Sequence, residues 1–215
     1  MTQAARSIDT RRRLLDAAVE VFAEEGYRQA TLQEISRRAG TNIAAANYHF
    51  GGKDRLYAAV FEHAERRGPV DPLAIPASSP PEERLRAHVT GFLSRLLDPG
   101  RPAWFARLLA REMVEPTRAL DRLVRRRMRA NHAQLSAIMQ ELLGPAATAR
   151  RVRFCTLSVI AQCVFYRNSA EVLTRLYPDL VPAREIAAIA EHVSEFSLAA
   201  IRGLRNAASR NGRRR

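Results

Sequence analysis

Asn47, Tyr48, His49 and Lys53 place an amide, a phenol, an imidazole and the chain's single lysine within two turns' length of one another. Such a group is suited to holding a polyanion. A carboxamide can pair bidentately with adenine, and Tyr and His tips reach phosphate oxygens. An ammonium at a helix start adds its charge to free backbone amides. Ala44, Ala45 and Ala46 stand just before them, small enough for a helix to approach base edges closely. Ala44, Ala45, Asn47, Tyr48, His49 and Lys53 therefore form a candidate DNA-contacting set.

Other chemistries lack their residues. The histidines His49, His63, His88, His132 and His192 show no i, i+4 pairing for a metal, and there is no Cys-x-x-Cys. A phosphate-binding Gly-rich loop and a Gly-x-Ser-x-Gly elbow are both missing. The reading is therefore a protein without catalytic residues, metal or cofactor. Cys155 and Cys163 lie eight apart in one apolar helical stretch, roughly 12 Å along a helix. They cannot pair with each other there, and they read as buried free thiols of a reduced, cytoplasmic protein. Residues 1–13 are polar and basic with no apolar stretch behind them, unlike a signal peptide. The run 152–166 is too short and too interrupted for a membrane span, so no membrane partner is expected.

Periodicity supplies the helices that hold this polar group in place. Leu14, Leu15, Ala18, Val21 and Phe22 make an amphipathic stripe that Gly26 ends. Thr31-Leu32-Gln33-Glu34 has the capping-box spacing of a helix start. The helix it opens turns Leu32, Ile35 and Ala39 inward, and Gly40 closes it. A second short helix over 42–49, anchored by Ile43 or Ala46 and by Phe50, breaks at Gly51-Gly52. A fourth helix runs from Lys53 to about 67 around Leu56, Val60 and Phe61. Two short helices joined by a Gly-containing turn make a helix-turn-helix pattern over 31–50, which taken alone also fits a tight hairpin in a bundle.

Beyond a Pro-rich connection at 68–81, helices are expected over 81–97, 102–114, 117–143, 148–167, 168–177 and 182–204. The fold class is therefore all-α, with about ten helices split four and six. The domains are 1–67, 82–205 and a basic tail, 206–215. Glycine-proline at 144–145 stops the long helix, whose inner stripe is Leu120, Val124, Met128, Leu135, Ile138, Met139 and Leu142.

The net charge of +13 suits a polyanionic partner, but it is badly placed for a simple argument. Residues 1–67 carry 11 basic and 9 acidic side chains, against 12 and 5 in residues 148–215. Local geometry, more than bulk charge, has to carry the DNA reading.

Residues 14–57, LLDAAVEVFAEEGYRQATLQEISRRAGTNIAAANYHFGGKDRLY, resemble the N-terminal domain of TetR-family repressors. The matching signature is the first helix ending in Glu-Gly-Tyr, then T-x-x-E-I-x-x-x-A-G, then Tyr-His-Phe, then Lys-Asp-x-Leu-Tyr. The resemblance implies that 42–49 is a recognition helix and that Thr31, Tyr48, His49 and Lys53 lie on the phosphate side, which adds Thr31, Thr41 and Asn42 to the candidate DNA-contacting set. It also implies a homodimer on near-palindromic double-stranded operator DNA, with release by a small-molecule inducer. The stretches 104–117 and 154–173 are similar to the C-terminal domain of the family's CecR-like branch. Three positions depart from the pattern: Thr41 where the family has Val, Asn47 where Tyr is common, and Gly52 in place of a Ser or Thr cap.

For the second domain, 152–166 is apolar almost all round, and 182–204 carries Ile186, Ile189, Val193, Ser197, Ala200, Ile201 and Leu204 as a stripe. Both segments fit a two-fold four-helix interface. An inducer cavity would draw on Trp104, Phe105, Met128, His132, Phe165 and Tyr166, each of which also suits an ordinary core position. His132 continues the Val124-Met128 stripe, and a buried imidazole needs a partner. The arginines at 122, 125, 126, 127 and 129 read as a solvated face. The competing function is a DNA-binding or adaptor protein that answers to no ligand.

Overall fold

A computed structural model describes residues 3–66, 75–97 and 103–212. Eleven α-helices account for nearly all of them, and the described residues contain no strand. In order they are α1 (Gln3–Gln29), α2 (Leu32–Arg38), α3 (Ile43–Phe50), α4 (Lys53–Arg66), α5 (Pro81–Leu97), α6 (Ala103–Val114), α7 (Arg118–Leu123), α8 (Arg129–Leu143), α9 (Ala149–Asn168), α10 (Ala170–Leu176) and α11 (Ile186–Gly212). Most of the connection expected at 68–81 falls outside the described residues.

Packing divides the chain into two compact units, residues 1–68 with 100–128, and residues 69–99 with 129–215. The expected division at 67 and 82 left α6 and α7 with the second domain. In the packing they lie with α1–α4 instead.

In the first unit, Leu14, Leu15, Ala18, Val21 and Phe22 of α1 are buried, as their 3.6-residue spacing requires. Ile35, Ala46, Leu56, Tyr57, Val60 and Phe61 close on them, and Phe105 and Leu108 of α6 join the same cluster. Gly26 holds φ 79°, ψ 172°, a combination only glycine adopts without strain. A Cβ there would also meet the Arg111 guanidinium, whose Nη2 donates to the Glu24 carbonyl at 2.8 Å. The kink at Gly26 lets one further helical turn run on to Gln29.

In the second unit, α5 supplies Leu85, Val89 and Leu93, and α8 supplies Leu135, Ile138, Met139 and Leu143. Val152, Val159 and Cys163 of α9 and Ile189, Val193, Leu198 and Ile201 of α11 complete the core. Both cysteines are free thiols, Cys163 buried and Cys155 half-buried. Burial pushes the Cys163 thiol up to about 12. Among the described residues no helix is long and apolar enough to cross a membrane.

Two expectations about helix length are corrected. The single helix expected over 117–143 is interrupted by a π-helical turn, Val124–Met128. A π turn adds a residue and rotates the following side chains by roughly 100°. The stripe therefore does not run straight through. Leu123 is buried, Val124 is half-buried and Met128 is 36% exposed. At the other end, the helix expected to stop at 204 continues to Gly212, so the described part of the basic tail is helical.

A candidate DNA-binding surface

The geometry is set by two helix starts and two glycine stops. Thr31 sits in extended backbone, and its Oγ1 accepts from the Glu34 amide at 3.1 Å, capping α2. The reciprocal half of the capping box is used otherwise. Glu34 takes Arg37 at 2.7 and 2.8 Å and Arg38 at 2.8 Å. The Arg37 and Arg38 guanidinia hold the Glu34 carboxyl down to about 2. Arg38 also reaches Glu24 of α1 at 2.7 Å, so the basic end of α2 is neutralised by its neighbours.

Gly40, at φ 62°, ends α2 in a Schellman arrangement. Its amide bonds the Arg37 carbonyl at 3.1 Å, and the Thr41 amide bonds the Ser36 carbonyl at 2.9 Å. Arg13 of α1 adds a guanidinium bond to the Ala39 carbonyl at 3.0 Å, clamping the turn from outside. Asn42 then caps α3, its Oδ1 accepting from the Ala45 amide at 2.9 Å. Gly51, left-handed at φ 70°, closes it.

Between these caps α3 has one buried edge and one open face. Ala46 and Phe50 are buried against α1 and α2, whereas Ile43 is 42% exposed, which settles the Ile43-or-Ala46 alternative in favour of Ala46. Ala44, Asn47 and Tyr48 are exposed on adjoining positions, with Tyr48 at 83%. Ala45, His49 and Thr41 are half-buried, and Asn42 and Thr31 are exposed. A helix held on one side and bare on the other, carrying an amide and a phenol, can enter a groove about 12 Å wide.

Lys53 opens α4 half-buried, with Nζ donating to the Arg28 carbonyl at 3.2 Å and standing 4.6 Å from the Tyr27 ring centroid. The Tyr27 hydroxyl bonds Asp54, which pushes the phenol up to about 12. Tyr27 packs on Tyr57 at 4.9 Å, and the Tyr57 hydroxyl donates to the buried Glu112 at 2.9 Å. Arg11 of α1 lies 5.0 Å from the Phe50 ring centroid at the end of α3. Spacing alone did not single out Arg11, Arg13, Tyr27 or Glu112. The one available signal was Glu112 at i+4 from Leu108, a charge on an apolar stripe.

The six residues proposed for a ligand cavity are distributed over both units. Trp104 and Phe105 pack into the first core, with Phe105 6.1 Å from Phe61, and Met128 ends the π turn. In the second unit Phe165 is 54% exposed and Tyr166 packs on the core. His132 Nδ1 lies 3.3 Å from Ser136 Oγ, which is 3.2 Å from the buried Thr156 hydroxyl. A shallow cleft, too small for a drug-sized molecule, opens elsewhere between α4 and α7, lined by Ala58, Phe61, Glu62, Ala119, Leu123 and neighbouring arginines. Arg122, Arg125, Arg126 and Arg129 are exposed as expected of a solvated face, and Arg126 pairs with Glu62 at 2.9 Å.

Fold and surface together define a helix-turn-helix protein of the DNA-binding kind. Residues 14–60 match the model described as bacterial regulatory proteins, tetR family. Residues 81–201, more than half of the chain, match that of the C-terminal domain of the HTH-type transcriptional dual regulator CecR. The chain belongs to the TetR family of helix-turn-helix transcriptional regulators, a family without enzymatic activity, and carries a CecR-type C-terminal domain. It is 33% identical to the HTH-type transcriptional regulator BetI of Brucella anthropi over 124 residues, 56% of this chain and 64% of that one. It is 43% identical to SrpR of Pseudomonas putida over 68 residues, 32% of this chain and 31% of that one. The chain thus spans less than two thirds of either relative. A TetR transcription regulator from Haloarcula marismortui shares the fold, with TM-score 0.57 and 22% identity over 89% of this chain and 97% of that one.

Proposed function

We propose that this protein binds double-stranded operator DNA as a homodimer in the cytoplasm and represses until a small molecule releases it. The observation that carries the reading is the open face of α3, where Ala44, Asn47 and Tyr48 are bare while caps at Asn42 and Gly51 hold the helix. Asn47 reads a base edge, Ala44 and Ala45 allow close approach, and Thr31, Thr41, Asn42, Tyr48, His49 and Lys53 flank the groove. In a two-fold dimer the paired recognition helices meet successive major grooves about 34–36 Å apart on a near-palindromic site.

Dimerisation is supported by the second unit. Phe154, Leu157 and Phe165 are 46–54% exposed and, with Ala161, line one side of α9. Phe196, 60% exposed, lies with Ala199, Ala200 and Leu204 on α11. Apolar stripes of this size are covered in stable proteins, and a second copy supplies matching ones. The inducer reading rests on the polar string His132–Ser136–Thr156, which offers anchoring groups against the apolar core.

Selecting duplexes from a random pool gives the operator. Anisotropy titration of Tyr48→Ala with Lys53→Ala then tests the contacts, and unchanged affinity would refute them. A compound that raises the melting temperature and lowers operator affinity establishes induction. If none in a broad library does so, the ligand-independent reading is favoured.

A further inference from the structure

Glu112 is 1% exposed, yet its carboxylate is held by hydrogen bonds, with no ion pair among the described residues. Oε1 accepts from the Tyr57 hydroxyl at 2.9 Å and from the Thr117 hydroxyl at 2.9 Å, and Oε2 accepts from the Thr117 amide at 3.0 Å. Thr117 Oγ1 in turn caps α7 through the Ala119 amide at 3.1 Å. One carboxylate thereby ties the start of α7 to the second turn of α4. Burying a charge costs stability that an apolar side chain of similar volume would not cost. What the carboxylate provides is direction, because it fixes where the Tyr57 hydroxyl must point.

That direction is passed on by packed rings. Tyr57 lies 4.7 Å from Phe22, edge to face, and 4.9 Å from Tyr27. Tyr27 is the seat under the Lys53 ammonium, at 4.6 Å, and its own hydroxyl bonds Asp54 in the first turn of α4. Lys53 makes no ion pair among the described residues, so its position is set by this ring and the Arg28 carbonyl at 3.2 Å.

From this we infer that Glu112 is a positioning residue for DNA binding. Through Tyr57 and Tyr27 it holds Lys53 where the ammonium meets a backbone phosphate. The inference rests on the DNA-binding reading above and goes beyond it by assigning a role to a residue remote from the contact face.

The test uses the full-length protein and a fluorescent duplex selected by the wild type from a random pool. Dissociation constants are measured at several salt concentrations for Glu112→Ala, Glu112→Gln and Tyr27→Leu, each with Lys53 and with Lys53→Ala. Losing one phosphate contact flattens the log–log salt dependence by about 0.9. Glu112→Ala and Tyr27→Leu are expected to flatten it by that amount per protomer, and to cost nothing more once Lys53 is Ala. Glu112→Gln, which keeps an acceptor oxygen for Tyr57, restores most of the slope. An equal fold-loss in both backgrounds at the wild-type slope would show that Glu112 merely supports the fold and would overturn the inference. Should Glu112→Ala fail to fold by circular dichroism, Tyr57→Phe, which removes only the hydroxyl that Glu112 holds, decides by the same criterion. If Lys53→Ala alone changes neither affinity nor slope, the inference falls while DNA binding stands. If the wild type selects no duplex, the DNA-binding reading falls first.

Discussion

Asn42 decides whether the start of α3 is a contact or a support. Its Oδ1 caps the helix through the Ala45 amide at 2.9 Å, so Asn42→Ala leaves that donor to water and weakens the first turn. Losing a cap of this kind costs about 1 kcal/mol. An eight-residue helix has little intrinsic stability to absorb the loss. In a dimer with two recognition helices the cost is about 2 kcal/mol, or roughly a 30-fold weaker complex. The free protein should lose about 2–4 °C of melting temperature for each kcal/mol lost per chain. Asn42→Ser keeps a capping oxygen but shortens the reach towards DNA. Anisotropy titration and thermal unfolding of both variants should therefore show Asn42→Ala impaired in each assay and Asn42→Ser close to wild type in each. If Asn42→Ser binds DNA as poorly as Asn42→Ala while melting normally, the side chain works by touching DNA, and the capping argument is refuted.

Three further outcomes are expected. Gly51→Ala forces a left-handed backbone on alanine, at φ 70°, and crowds the Arg55 guanidinium, so the melting temperature should fall with a cost of about 1–2 kcal/mol. The hydrogen bond to Asp54, then burial, raises the Tyr27 phenol from 10.0 to about 12. The stability this contributes is complete below pH 10 and is lost as pH rises to 12. Tyr27→Phe should flatten that alkaline loss in melting curves between pH 9 and 12, and a phenolate absorbance titration that places Tyr27 at 10 would contradict it. Phe196→Asp puts a carboxylate on the exposed apolar stripe of α11. On the proposed dimer, light scattering after gel filtration should show monomer for the variant and dimer for the wild type, with the dimer constant raised on the order of a hundredfold. Dimer persisting unchanged would place the interface elsewhere.

The recognition motif was legible in the sequence because its signals are local. Thr31 can cap only the helix directly after it, Gly40 and Gly51 supply the left-handed stops, and 3.6-residue spacing marks the buried edge of each helix, whereas Asn42, expected inside its helix, is that helix's cap. Ile43 against Ala46 was open because both fit that spacing, and only packing against α1 and α2 selects Ala46. Long-range facts were not legible. The partner of Glu112 lies 55 residues away, and no spacing rule links the two. The π turn at Val124–Met128 shifts a helical face by one residue, so the stripe through Met128 looked continuous but is not. The ligand-cavity set assumed that Trp104 and Phe105 face the same core as His132 and Tyr166. They belong to a different core because α6 packs on α1.

That assignment of α6 bears on how a signal could reach DNA. By sequence, α6 and α7 fall inside the C-terminal family match at 81–201, yet by packing they belong with the helices of the helix-turn-helix. Arg111 on α6 holds the Glu24 carbonyl at 2.8 Å, Arg28 pairs with Glu115 at 3.5 Å, and Glu112 holds Tyr57. Arg111, Glu112 and Glu115 thus grip α1 and α4 together, and Gly26, where α1 kinks, sits directly under the Arg111 guanidinium. A displacement of α6 by even an ångström would break bonds of about 3 Å whose strength falls steeply with distance and angle. Those bonds hold Arg28 and Tyr57, against which Lys53 and Tyr27 are seated, whereas α3 is capped by its own residues. Phosphate contacts should then loosen before base reading is lost. Regulation through α6 would accordingly appear first as a change in the salt dependence of binding, with sequence preference intact.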